Sequence, residues 1–131
     1  MKSYIWDTGA LSLYFSENEQ CKLLMEDCEK SKIIGYVPLL ILSEFYYLHW
    51  RKFGYRLAKM RVESIVNSSL TSLALKEQSI YRIGELKVKH PELSLADSAL
   101  IALSKEYGST IITTERLMSE IKGVKATKIN F

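Results

Sequence analysis

Four acidic residues, Asp7, Glu44, Asp97 and Glu115, stand where a free carboxylate is costly. Asp7 ends the apolar run Tyr4-Ile5-Trp6 and is followed at once by the small residues Thr8-Gly9-Ala10. Glu44 lies inside Leu39-Leu40-Ile41-Leu42-Ser43-Glu44-Phe45-Tyr46-Tyr47-Leu48, so at helical spacing Leu40 and Ile41 precede it by one turn and Tyr47 and Leu48 follow it. Asp97 has Leu93, Leu100 and Ile101 on its face, and Glu115 follows Thr110-Ile111-Ile112-Thr113-Thr114. Each has a plain structural reading when taken alone. Asp7 suits a helix N-cap, Glu44 a salt bridge or a snorkelling edge position, Asp97 the acid of the capping box Ser94-Leu95-Ala96-Asp97, and Glu115 a pair with Arg116.

Taken together they point to a site. Two carboxylates about 5 Å apart at an effective dielectric near 20 repel by roughly 3 kcal/mol, so a cluster of four needs protons or a cation. Oxygen donors without His or Cys select Mg²⁺ or Mn²⁺ rather than zinc. The two histidines, His49 and His90, lie in other segments without metal-ligand spacing, and both are expected at the surface or an interface. A carboxylate-held Mg²⁺ or Mn²⁺ lowers the pKa of bound water and neutralises charge on a phosphoryl oxygen, which favours phosphodiester hydrolysis. Asp7, Asp97 and Glu44, the last directly or through water, are the expected ligands, with Glu115 the fourth acid. Thr8, Ser98, Thr113 and Thr114 are the hydroxyls available to orient them, and Thr8 and Thr114 are the two selected.

The elements that would carry these residues alternate in type. Strands are expected at Ser3 to Trp6, Ile33 to Val37, Leu70 to Ala74, Thr110 to Thr113 and Lys128 to Asn130. Helices fill the intervals: Ala10 to Phe15, Asn18 to Lys30, Pro38 to about Lys52, Tyr55 to Val66, Leu75 to about Lys89, a helix opened by Ser94 and closed by Tyr107-Gly108, and Arg116 to Ile121. Pro38 is placed in the first turn of its helix, where its missing N–H costs nothing. Gly35 reads as no more than a weak point in its strand. The strands are continuously apolar, as in a parallel sheet covered by helices on both faces, so the fold class is an α/β three-layer sandwich. Asp7 then lies at the carboxyl end of a strand, where open α/β sheets bind ligands.

A chain of 131 residues with 47% hydrophobic and 25% charged content fits one domain spanning residues 1–131. The formal charge of +3 permits a polyanionic partner without requiring one. Cys21 and Cys28 lie on one helical face as reduced core residues, and the absence of a signal-like or membrane-length apolar run predicts a cytoplasmic protein. Neither G-x-G-x-x-G nor G-x-x-x-x-G-K-[ST] occurs, so a nucleotide-binding phosphate cradle is not expected. An aspartyl phosphatase would carry a second Asp at position 9, which is Gly.

Four segments resemble the signatures of PIN-domain ribonucleases: Tyr4 to Leu11, Leu42 to Tyr47, Leu93 to Ala99 and Ile111 to Glu115. In segment order, length and the Ser-Leu-Ala-Asp phrase the chain looks most like the VapC toxins of toxin–antitoxin pairs. The resemblance implies a five-stranded sheet of order 3-2-1-4-5, a Mg²⁺- or Mn²⁺-dependent endoribonuclease, a homodimer and a small VapB-like antitoxin. Asp7, Glu44 and Asp97 match the family's acids. Family members commonly carry Asp after the Thr-Thr pair and often another acid two residues on, whereas this chain has Glu115 and Leu117. Glu115 would reach an ion through water or lean away to Arg116, and a weak or absent second metal site follows.

The stretch Tyr46 to Arg56 mixes aromatics with cations, a combination suited to single-stranded RNA. Tyr47, Trp50, Arg51, Lys52 and Arg56 are the candidates for contacting RNA or the antitoxin, against the alternative of a buried aromatic ridge. Lys87, Lys89 and His90 read as solvated surface. The competing function is a catalytically weak PIN-like module that binds RNA or a partner.

Overall fold

The structure is a computed structural model that describes residues 1–131. Five strands form one parallel sheet: β1 (Ser3–Trp6), β2 (Ile34–Pro38), β3 (Thr71–Leu73), β4 (Thr110–Thr113) and β5 (Ala126–Lys128), in the order β3-β2-β1-β4-β5. Seven helices connect them: α1 (Thr8–Phe15), α2 (Glu19–Glu29), α3 (Leu39–Phe53), α4 (Tyr55–Val66), α5 (Glu77–Lys89), α6 (Leu95–Tyr107) and α7 (Arg116–Glu120). With right-handed crossovers, the path outward through β2 and β3 lays α1 to α4 on one face, and the return through β4 and β5 lays α5 to α7 on the other. The path reverses between β1 and β4. This is the crevice where open α/β sheets take their ligands.

The apolar strands meet the expectation of two covered faces. Ile5, Trp6, Ile111 and Ile112 are at most 1% exposed, and Phe45 and Leu100 pack over them from α3 and α6. Both cysteines are free and buried, one turn-pair apart on α2. No helix is long and apolar enough to cross a membrane.

Several boundaries differ from the sequence reading, each for a local reason. α1 begins at Thr8 rather than Ala10, because the Asp7 side chain caps it directly. Pro38 ends β2 and occupies the N-cap of α3, with φ −66° and ψ 140°, instead of entering the first turn. β5 is earlier than expected: pairing of Ile111 with Ala126 and Thr113 with Lys128 sets its register, and the buried Ile129 follows the strand while donating its N–H to Thr113 at 2.8 Å. Gly35 does more than weaken β2. A Cβ there would stand 2.4 Å from Leu70 Cδ2 and 2.9 Å from Cys28 Sγ, so the glycine lets α2 sit directly on the strand.

Candidate active site

Asp7 emerges from β1 with its position set on three sides. Its N–H donates to the Ile112 carbonyl at 3.0 Å, which ties it to β4, and its Oδ1 accepts from the Ala10 N–H at 2.7 Å. The Thr113 hydroxyl and the Thr114 N–H donate to the same carboxylate. The residue is 4% exposed, and burial outweighs these donors, so its pKa is raised, with the charge of Asp97 adding to the effect.

Gly9 allows the end of β4 to approach this closely. A Cβ on it would lie 2.2 Å from Thr114 Oγ1. Thr114 therefore serves Asp7 through its backbone, while its side chain fills the space over Gly9. The hydroxyl that reaches Asp7 is that of Thr113, which also accepts the Glu115 N–H at 2.9 Å.

Glu44 comes from the second turn of α3, half-buried, and accepts the Thr8 hydroxyl at Oε1. Its surroundings are less apolar than the helical spacing implied. Ile41 is buried, but Tyr47 and Leu48 are 44% and 41% exposed, which sets Glu44 on the border between core and solvent.

Asp97 lies in the first turn of α6. Its N–H donates to Ser94 Oγ at 3.0 Å, which caps the helix, and the nearby Ser94 hydroxyl and backbone act to lower the pKa of its carboxylate. Capping does not exclude it from the acidic group: burial raises its pKa, and the charge of Glu44 raises it further.

Glu115 does not lean to Arg116, which pairs instead with Glu120 at 3.0 Å. Its carboxyl faces that of Asp97, close enough for the two to shift each other's pKa. The residue as a whole is exposed, but its acidic end faces the cluster. Burial first, then the charges of Asp97, Asp7 and Glu44, push its pKa up to about 7. Leu117, two residues on, is partly buried against the core.

The four acids thus feel one another's charge across the crevice between β1 and β4, and none takes part in an ion pair with Lys, Arg or His. No three acidic, histidine or cysteine side chains stand grouped closely enough to form a finished metal cage. The donor set is nonetheless the hard, anionic one that Mg²⁺ or Mn²⁺ takes, and its mutual repulsion is what a divalent cation relieves.

His49 is not at the surface. It is 6% exposed, stacked on Phe45 at 3.9 Å, and bonded through Nε2 to Ser12 Oγ and through Nδ1 to Arg61, both at 2.9 Å. Arg61 can only donate, so Nδ1 accepts and Nε2 carries the proton. Ser12 therefore faces an N–H rather than a base, and the couple is not a serine nucleophile with its histidine. Burial, then Arg61 and Lys52, pull the His49 pKa down to about 4.

The aromatic stretch is an exposed ridge rather than a buried one. Tyr47, Trp50 and Tyr55 are each 44% to 49% exposed, Arg51 lies 5.1 Å over the Tyr47 ring, and Lys52 and Arg56 are open to solvent. In the smaller basic group, Lys89 pairs with Glu85 at 2.6 Å. Lys87 is not simply solvated: it donates to the carbonyls of Pro91 and Leu93 and ties down the turn between α5 and α6.

A family model described as the PIN domain matches residues 4–124. No curated protein sequence matches the chain. Among solved structures it is similar to VapBC2 from Rickettsia felis bound to a DNA fragment from the promoter, with TM-score 0.81 and 11% identity over 96% of this chain and 98% of that one. It is also similar to DNA-bound VapBC from Salmonella typhimurium, with TM-score 0.77 and 15% identity over 98% of each chain. A third similar structure is Mycobacterium tuberculosis VapC20, described as a Sarcin-Ricin loop cleaving toxin, with TM-score 0.67 and 17% identity over 82% of this chain and 86% of that one.

Proposed function

The chain belongs to the PIN-domain family, and from that footing we propose that it is a Mg²⁺- or Mn²⁺-dependent endoribonuclease acting as a VapC-like toxin. The observation that carries the reading is the mutual charge influence of four carboxylates, from the ends of β1 and β4 and from α3 and α6, with no cationic side chain to balance them. Asp7, Asp97 and Glu44 would hold the ion, with Glu115 at the rim. A bound Mg²⁺ or Mn²⁺ would supply an activated water and charge neutralisation at the phosphoryl oxygen.

The chain's own groups do the positioning. Thr113, Thr114 and Ala10 fix the Asp7 carboxylate, Ser94 fixes Asp97, and Thr8 holds Glu44 toward α1. Glu115, with a pKa near 7, exchanges a proton readily at neutral pH, so it suits proton transfer at the rim better than permanent ligation.

The likeness in fold to chains from VapBC complexes supports a VapB-like antitoxin as partner, and the exposed ridge carrying Tyr47, Trp50, Arg51, Lys52 and Arg56 offers aromatic and cationic contacts for RNA or that partner. A homodimer working in the cytoplasm completes the reading.

Two observations favour a second reading, a PIN-like module that binds RNA or a partner with little turnover: no three of the acids are grouped as a finished cage, and Leu117 places a core side chain where relatives often carry an acid. RNA cleavage assayed with Mg²⁺ or Mn²⁺, and with chelator, separates the two. Cleavage that requires the metal and fails in Asp7→Asn and Asp97→Asn supports the nuclease; a wild-type chain that binds RNA without cutting it supports the module.

A further inference from the structure

Behind the ridge lies a cavity of about 510 Å³ between α1, α3 and α4, lined by Ser12, Ser16, Lys52, Phe53, Arg61 and their neighbours. Arg61 is held there as a fixed receptor. Its guanidinium lies between two aromatic rings, 5.2 Å from the Phe15 centroid and 4.8 Å from that of Phe53, and its one hydrogen bond within the protein goes to His49. A guanidinium carries five N–H donors, so most of its fork is left for something else.

Nothing anionic in the chain answers it. No acid lines the cavity, and neither Arg61 nor Lys52 belongs to any ion pair. The C-terminal ends of α1 and α3 open onto the cavity, but each contributes only about half a negative charge, so two full cations leave a positive surplus. His49 is neutral and adds no counter-charge.

We propose that this cavity is a phosphate subsite in which Arg61 and Lys52 grip the backbone of the RNA substrate away from the scissile bond. The inference rests on the nuclease reading and adds a positioning residue to it. Asp7 to Ser12 on α1, and Glu44 to His49 on α3, each span five residues, an axial displacement of about 8 Å. The cavity is therefore offset from the carboxylates along both helices, toward their C-terminal ends. Arg51, Arg56 and Lys59, all exposed on α3 and α4, add further positive charge to the same helical hairpin. Several cations on one hairpin answer repeating phosphates better than they answer a single acidic side chain. The hydroxyls of Ser12 and Ser16 supply neutral donors beside the fork.

The test measures binding of a labelled short oligouridine to the full chain in chelator, across a series of salt concentrations. Arg61→Gln is expected to weaken binding about 10-fold and to lower the slope of log affinity against log salt by about 0.7, the value of one single-strand phosphate contact. Ser16→Glu alters an exposed residue and sets a carboxylate against Arg61, so it should reproduce the loss even if Arg61→Gln folds poorly. Lys30→Gln, far from the cavity, should change neither value. In the cleavage assay both cavity variants should raise KM and leave kcat close to wild type.

Wild-type affinity and salt slope in folded Ser16→Glu and Arg61→Gln, with metal-dependent cleavage intact, overturn the subsite and leave the nuclease standing. Unchanged RNA binding together with loss of a co-purifying protein partner assigns the fork to an acidic peptide and overturns it as well. Absence of any cleavage by the wild type, with RNA binding that still depends on Arg61, sinks the nuclease and keeps the subsite.

Discussion

The carboxyl groups of Asp97 and Glu115 face each other across the gap between α6 and the end of β4, close enough for each to shift the other's pKa. Two carboxyls so placed favour one shared proton, and burial with the neighbouring charges raises the Glu115 pKa to about 7. Because that pKa is raised above the usual 4.5, the folded chain binds the proton more tightly than the unfolded one. The stability it contributes is complete below about pH 4.5 and is lost as pH rises through about 7. Glu115→Gln should therefore melt at a higher temperature than wild type at pH 8 in chelator, with the gap closing toward pH 4.5. Mn²⁺ should raise the wild-type melting temperature above pH 7 by mass action. A pH-independent gap in calorimetry would refute the shared proton.

His49 works in the opposite direction. Its pKa is depressed from 6.5 to about 4 by burial and by Arg61 and Lys52, with Ser12 facing it from α1, so its contribution is complete above pH 6.5 and lost as pH falls through about 4. His49→Gln keeps an acceptor for Arg61 without a titrating ring. Its deficit relative to wild type in urea unfolding should shrink between pH 6.5 and 4.

Asp7→Asn should abolish cleavage, by about 100-fold or more, and leave the fold in place. Asn caps a helix as well as Asp, so the bond from the Ala10 N–H survives while the charge is lost. Circular dichroism showing an unfolded Asp7→Asn would mean that the residue's role is structural.

Thr113→Val and Thr114→Val should part company. Thr113 donates its hydroxyl to Asp7, and its loss should weaken metal affinity or activity about 10- to 100-fold. Thr114 reaches Asp7 through its backbone, so Thr114→Val should change Mn²⁺ affinity little. Equal losses in titration calorimetry would reverse this assignment.

Gly9→Ala should destabilise the chain by about 1 to 3 kcal/mol, because the new methyl meets Thr114 Oγ1 at 2.2 Å. Adding Thr114→Ala removes the clashing atoms and should recover most of the loss in a double-mutant cycle. Additive destabilisation would rule out direct contact as the cause.

Asp7, Glu44 and Asp97 were legible because each interrupts an apolar periodicity, and local patterning alone placed most of the helices and strands. What pairing decides was harder to read. Thr113 and Thr114 are adjacent at a strand end and point to opposite sides, so only the register of β4 against β1 selects the hydroxyl that meets Asp7. The His49–Arg61 bond spans the α3–α4 hairpin, and its existence depends on how those helices cross. β5 followed its ladder with β4 rather than its apolar residue. Glu115 had an adjacent cation in sequence but found its partner on α6, because Arg116 points along α7 to Glu120.

The reversal of strand order also sets a timetable. Asp7 is made well before the Ile112 carbonyl, the Thr113 hydroxyl and Glu115 that complete its surroundings, which follow only after β2, β3 and the intervening helices. Chains are made and fold from the N-terminus at about 5–20 residues per second, so β1 waits seconds for β4 to close its open edge. Until that edge closes, a nascent chain carries the acids without their frame. A chain proposed to act on RNA, emerging from a machine built of RNA, thus lacks its completed site until β4 has emerged and paired with β1.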